Sequence, residues 1–189
     1  MPRVHESYEA ELVRGARQGD PRAFEALVRM HAERLYAVLL RFTADVEEAE
    51  EVFQDALMRA WRGITKFEER SSFFTWLCRI GINEAKRRAE RRSRRGQVVS
   101  TGDQSIDQLR DSGPAPDTRA AQLELRGALE AAITELPLEY QMPLVLRDIE
   151  GLSTSDAAAI MELSESAFKS RLHRARMRVR NDLEPNLDE

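Results

Sequence analysis

A chain of 189 residues with a single cysteine has room for one or two small domains and excludes a disulfide-stapled scaffold. Richness in Ala, Leu, Glu and Arg, 6% aromatic content and the near absence of β-branched runs predict an all-α fold. The net charge of −4 excludes a uniformly basic nucleic-acid binder, but the charge is segregated. Residues 45–55 hold no Lys or Arg, whereas 79–95 and 169–180 are basic, so different segments are expected to meet different partners.

The opening MPRVHESYEA has no apolar core of a signal peptide, and the longest apolar run, residues 35–40, is too short to span a bilayer. A soluble, cytoplasmic protein without membrane insertion is expected. A first helix over 9–17 stops at Gly19. Asp20 caps a second, with Pro21 at its first position and Phe24, Leu27, Val28, His31, Leu35, Val38, Leu39 and Phe42 along an apolar stripe. A third helix runs from about Asp45 to Gly63. Its buried face is read as Val46, Ala49, Phe53, Ala56, Leu57 and Ala60, with Glu47, Glu48, Glu51, Gln54, Asp55 and Met58 on other faces. A fourth begins at Phe73 or Phe74 and continues to Arg92, with Cys78 as a small core residue.

Residues 93–117, rich in Ser, Gly, Asp, Gln and Pro, read as a flexible linker. They separate a domain of residues 1–92 from one of 118–189. The second domain opens with an amphipathic helix over 118–135 carrying Leu123, Leu125, Leu129, Ala132, Ile133 and Leu136. Pro137 then starts a helix over 139–148. Gly151 suits the end of that helix, and Ser153 or Thr154 can cap a short one with Ala157, Ala158, Ile160 and Met161 inward. Ser164 or Ser166 caps the last, which buries Phe168, Leu172, Ala175 and Val179. Lys169, Ser170, His173 and Arg174 share another face, flanked by Arg171, Arg176, Arg178 and Arg180. Residues 169–180 hold six Lys or Arg and no acid, unlike an ordinary exposed helix that mixes signs. A short helix, a tight turn and a basic second helix predict a helix-turn-helix for a DNA major groove.

Three stretches resemble the extracytoplasmic-function sigma factors, bacterial transcription initiation factors. Residues 48–55, EAEEVFQD, followed by Arg59-Ala60-Trp61, are similar to the family's acidic helix. Residues 67–83, FEERSSFFTWLCRIGIN, resemble its F-R-x-x-S-x-F-x-T-W-L-x-R-I-A-x-N segment. Residues 136–176 match its L-P-x-x-x-R-x-x-x-x-L-R-x-x-x-G-L-S and the following helix-turn-helix. The resemblance implies that Glu48, Glu51, Gln54, Asp55 and Met58 dock on the clamp helices of the large subunit of core RNA polymerase. It implies that Phe67 and Asn83 capture an unstacked base of the promoter −10 element, with Arg79, Lys86, Arg87 and Arg91 on the backbone. It further implies that Lys169, Ser170, His173 and Arg174 read the −35 element while Arg171 and Arg176 grip phosphates, and that an anti-sigma factor holds the protein inactive. Departures stand at Ser164–Phe168, where the family often has P-x-G-T-V, at Ala157, and at Gln141, where Arg is usual.

Two other readings account for less. A helix-turn-helix regulator acting without polymerase leaves the acidic helix and residues 67–83 without a role. A decoy that binds only an anti-sigma partner has no need of the recognition-helix arginines. An enzyme is not expected, because there is no Gly-rich phosphate loop, nucleophile–base pair or metal-ligand spacing among Cys78, His5, His31 and His173. No cofactor or metal follows.

Overall fold

The computed structural model describes the backbone of residues 2–94 and 116–187 and the side chains of 7–91 and 125–184. The chain divides into two compact units, Met1–Gly102 and Asp103–Glu189. Among the described residues all regular structure is helical, and no helix is long and apolar enough to cross a membrane. Most of the expected linker, like the side chain of Leu123, lies outside the described residues.

The first unit contains α1 (Pro2–Arg17), α2 (Pro21–Thr43), α3 (Val46–Gly63), a 3-10 turn (Ile64–Lys66) and α4 (Phe73–Arg94). Helix α1 starts well before residue 9, since nothing after Pro2 breaks it and Pro is at home in a first turn. Asp20 caps α2 by accepting from the Arg22 amide at 2.9 Å, and Asp45 caps α3 by accepting from Glu48 N–H at 2.7 Å. Glu47 and Glu48 in the first turn of α3 also favour its positive dipole end. The core draws Leu27, Leu35, Val38 and Leu39 from α2, Ala49, Val52, Ala56 and Ala60 from α3, and Phe73, Leu77, Cys78 and Ile82 from α4.

The buried face of α3 differs from the expected one. Val52 is fully buried and Val46 is 39% exposed, because the core-facing stripe runs through 49, 52, 56 and 60, and Val46 falls at the open first turn. Small alanines on that stripe let α3 lie close to its neighbours. Gly81 does the same for α4: a Cβ there would meet Leu39 Cδ2 at 3.0 Å and Leu35 Cδ1 at 3.4 Å.

The second unit contains α5 (Pro116–Thr134), α6 (Leu138–Leu144), a π-helical turn (Val145–Ile149), α7 (Thr154–Met161) and α8 (Glu165–Leu187). The helix expected over 139–148 is thus α-helical only to Leu144. Pro143 lacks the N–H that would reach back one turn, and the chain then widens, with Glu150 N–H donating to Val145 O at 2.9 Å. Phe168, Leu172, Ala175 and Val179 of α8 are buried as expected, with Leu146, Leu152, Ala157 and Ile160. On α5, Ala132 and Ile133 are buried, as is Leu136 just beyond its end, but Leu125 and Leu129 are exposed.

Candidate functional site

The helix-turn-helix is built by local chemistry. Gly151 at φ +69° turns the chain out of the π turn, and Ser153 caps α7 by accepting from Asp156 N–H at 3.0 Å. Glu162 ends α7 in the left-handed region at φ 60°, and Ser164 caps α8 by accepting from Ala167 N–H at 3.2 Å. Lys169, Ser170, His173 and Arg174 are all exposed, as major-groove contacts require. Lys169 Nζ lies 3.6 Å from Glu165, the only acid in the first turn of α8.

The arginines flanking this face are engaged. Arg176 Nε and Nη2 donate to the two oxygens of Asp148 at 2.8 and 2.6 Å. Those hydrogen bonds outweigh desolvation and raise its pKa above the ordinary guanidinium value. Arg171 is half-buried, 3.8 Å from the Glu139 carboxylate, and the Arg178 guanidinium sits 4.4 Å over the Tyr140 ring. Gln141 does not replace its usual Arg as a surface contact: it is buried, and Nε2 donates to Ile133 O at 3.1 Å, tying α6 to α5.

In the first unit, Glu51 and Gln54 are exposed, Glu48 and Asp55 half-buried, and Met58 is 52% exposed. Sequence reasoning missed that Arg88 of α4 reaches this acidic face. It donates from Nη1 to Glu51 and from Nη2 to Asp55 Oδ2, the latter at 2.6 Å. The Asp55 hydrogen bond leads among the causes that raise the Arg88 pKa, so the bridging cation stays charged. One turn away, Glu84 is buried and pairs with Arg59 at 2.6 Å, with Arg87 3.7 Å distant. The signal was present: Glu84 stands within the apolar register Leu77, Gly81, Ile82 and Ala85, where an acid needs a cationic partner. An open groove of about 470 Å³ runs along this α3–α4 seam, bringing Asp55 and Met58 together with Arg91.

The segment expected to capture a base is only partly presented. Phe67 is 5% exposed, its ring 5.0 Å from Trp76 and 6.2 Å from Phe73, so it is packed in the core rather than presented at the surface. Glu69 holds loop 67–72 at φ 56° while accepting from Arg17 at 2.5 Å. Asn83 is half-buried, and its Oδ1 is buried without a hydrogen-bond partner. Arg79 and Arg91 are exposed without an ion-pair partner among the described residues, and Lys86 is half-buried. Cys78 is fully buried. His31 is packed as expected, its ring 5.6 Å from that of Phe73 and 5.7 Å from that of Phe74.

A helix-turn-helix with an open polar and basic face is the arrangement of a DNA-binding protein, and here it shares a chain with a helical unit that carries an acidic face. Sequence-family profiles sharpen this: Sigma-70 region 2 matches residues 27–95, and Sigma-70, region 4, matches residues 126–179. The RNA polymerase sigma-H factor of Pseudomonas aeruginosa is 32% identical over 190 residues, 96% of either chain. The ECF RNA polymerase sigma factor SigM of Mycobacterium tuberculosis is 33% identical over 175 residues, 93% of this chain and 84% of that one. Among solved structures, the sigma factor RpoE of Bartonella quintana, in complex with the anti-sigma factor NepR, is 26% identical. It superposes with a TM-score of 0.67 over 85% of this chain and 96% of that one. The chain belongs to the extracytoplasmic-function RNA polymerase sigma factors, which are transcription initiation factors.

Proposed function

We propose that this protein binds core RNA polymerase through the acidic face of α3 and delivers it to promoters read by Asn83 and by α8. It acts in the cytoplasm, as a binding factor without catalysis of its own, and an anti-sigma factor holds it inactive. The observation that carries the reading is the pairing of two unlike surfaces in one chain: exposed Glu51, Gln54 and Met58 in one unit, and exposed Lys169, Ser170, His173 and Arg174 in the other. A repressor needs only the second.

Glu48, Glu51, Gln54, Asp55 and Met58 form the polymerase contact, in which clamp cations compete with Arg88 for Glu51 and Asp55. Asn83 takes the −10 base through its side-chain amide, which can donate and accept at a base edge, once its buried and unpartnered Oδ1 is uncovered. Phe67 supports that pocket from beneath, and Arg79, Lys86, Arg87 and Arg91 hold the backbone. On α8, Lys169, Ser170, His173 and Arg174 meet base edges and Arg171 lies beside a phosphate.

In vitro transcription over a library of promoter fragments, with purified core polymerase, tests this directly. Initiation from a discrete subset, lost with Asn83→Ala or Arg174→Ala, is expected. DNA binding without polymerase-dependent initiation would instead make the protein a regulator, and no effect in either assay would leave only the decoy.

A further inference from the structure

Arg176 occupies a position that its family uses on phosphate, yet its hydrogen-bonding fork already faces a carboxylate. The two bonds to Asp148, at 2.8 and 2.6 Å, make a bidentate pair that fixes both separation and plane. Asp148 belongs to the π turn that follows α6, and the opposite flank of α8 meets α6 through Arg171–Glu139 and Arg178–Tyr140. Three cations therefore fasten α8 to the α6–π segment from both sides of its buried face, while Ser170, His173 and Arg174 on the outer face stay exposed.

We propose that Arg176 is a positioning residue: with Asp148 it sets the rotation of α8 about its own axis, and it does not itself carry a phosphate. The proposal rests on the reading of α8 as the −35 reader. A helix with side chains is about 5–6 Å in radius, so a roll of about 20° moves side-chain tips by about 2 Å. That displacement breaks a base-edge hydrogen bond. A bidentate pair resists such a roll better than a point charge, which is why Arg rather than Lys suits the position.

The test uses the full chain with core polymerase and a promoter fragment recovered from the transcription library. Affinity is measured over a salt series, beside the same fragment with an altered −35 element. Asp148→Asn and Arg176→Gln are each expected to weaken binding about threefold, as a partly exposed ion pair allows. The double variant should be no worse than either, since the two residues act as one unit. The salt slope should stay at the wild-type value, and discrimination against the altered −35 element should fall, which a plain loss of stability would not cause. Reversing the pair, Asp148→Arg with Arg176→Asp, should restore affinity to within about twofold of wild type.

The opposite pattern overturns the proposal. If Arg176 grips a phosphate, Asp148→Asn frees it and tightens binding, Arg176→Gln lowers the salt slope by about 0.9, and the reversed pair fails although it unfolds at the wild-type temperature. Should the wild-type protein bind no promoter with polymerase, the −35 reading fails first and this inference falls with it.

Discussion

His31 is buried beside the rings of Phe73 and Phe74, with Glu9 Oε1 3.4 Å from Nε2 but not aligned for a hydrogen bond. Burial depresses its pKa below 6.5; Glu9 opposes this and Arg34 adds to it. The sign follows. Well above pH 6.5 the histidine is neutral in both folded and unfolded chains and contributes no pH dependence. Below that, the unfolded chain takes up the proton first, so stability falls as pH falls towards the folded pKa. Urea unfolding from pH 7.5 to 5, followed by fluorescence of Trp61 and Trp76, should show this loss in the first unit, and His31→Gln should flatten it. Leu27, fully buried in the same core, should cost about 2–5 kcal/mol as Leu27→Ala in the same assay. His31 and Leu27 were both legible as members of one helical stripe. The orphan Oδ1 of Asn83 was not, since only its surroundings decide that no donor reaches it.

Caps and stripes dominate at the scale of the helix. Asp20, Asp45, Ser153 and Ser164 each cap the helix that follows, as short polar residues before apolar periodicity require. Ser164→Ala should weaken the start of α8 by about 1 kcal/mol, read as faster amide exchange in its first turn and lower promoter affinity. The α3–α4 seam obeys a different rule. Arg88 joins Glu51 to Asp55, so Arg88→Ala leaves two carboxylates one turn apart facing each other and should cost about 1 kcal/mol of stability. Removing Arg88 also removes the cation with which polymerase competes. Competition binding with core polymerase should therefore show Arg88→Ala binding as well as wild type or better, whereas Glu51→Lys should bind at least tenfold more weakly. These helices were foreseen to within a few residues, except for the start of α1 and the π turn. Pro143 marked that turn in the sequence, but the widening depends on how Leu146 and Val145 seat in the core.

For the whole molecule, DNA affinity is expected to be weak without polymerase. Arg171 as the α8 phosphate contact predicts a loss of about 3.5-fold between 50 and 200 mM salt. Anisotropy of a labelled −35 duplex with the protein alone measures this, and a slope near zero would remove α8 from the backbone. With polymerase the slope should steepen as Arg79, Lys86, Arg87 and Arg91 add their contacts.

The sequence alone determined the all-helical class, the helix-turn-helix, the acidic α3 and the order of the helices, because periodicity, capping and turn residues act over a few positions along the chain. Only the tertiary structure decided which charges are spent inside the protein: Arg88 on Glu51 and Asp55, Arg59 on Glu84, Arg176 on Asp148. These partners stand 25 to 37 residues apart, so no local pattern pairs them. What joins them is the packing of one helix against another, together with the cost of leaving a charge near a dry interface without its counter-ion.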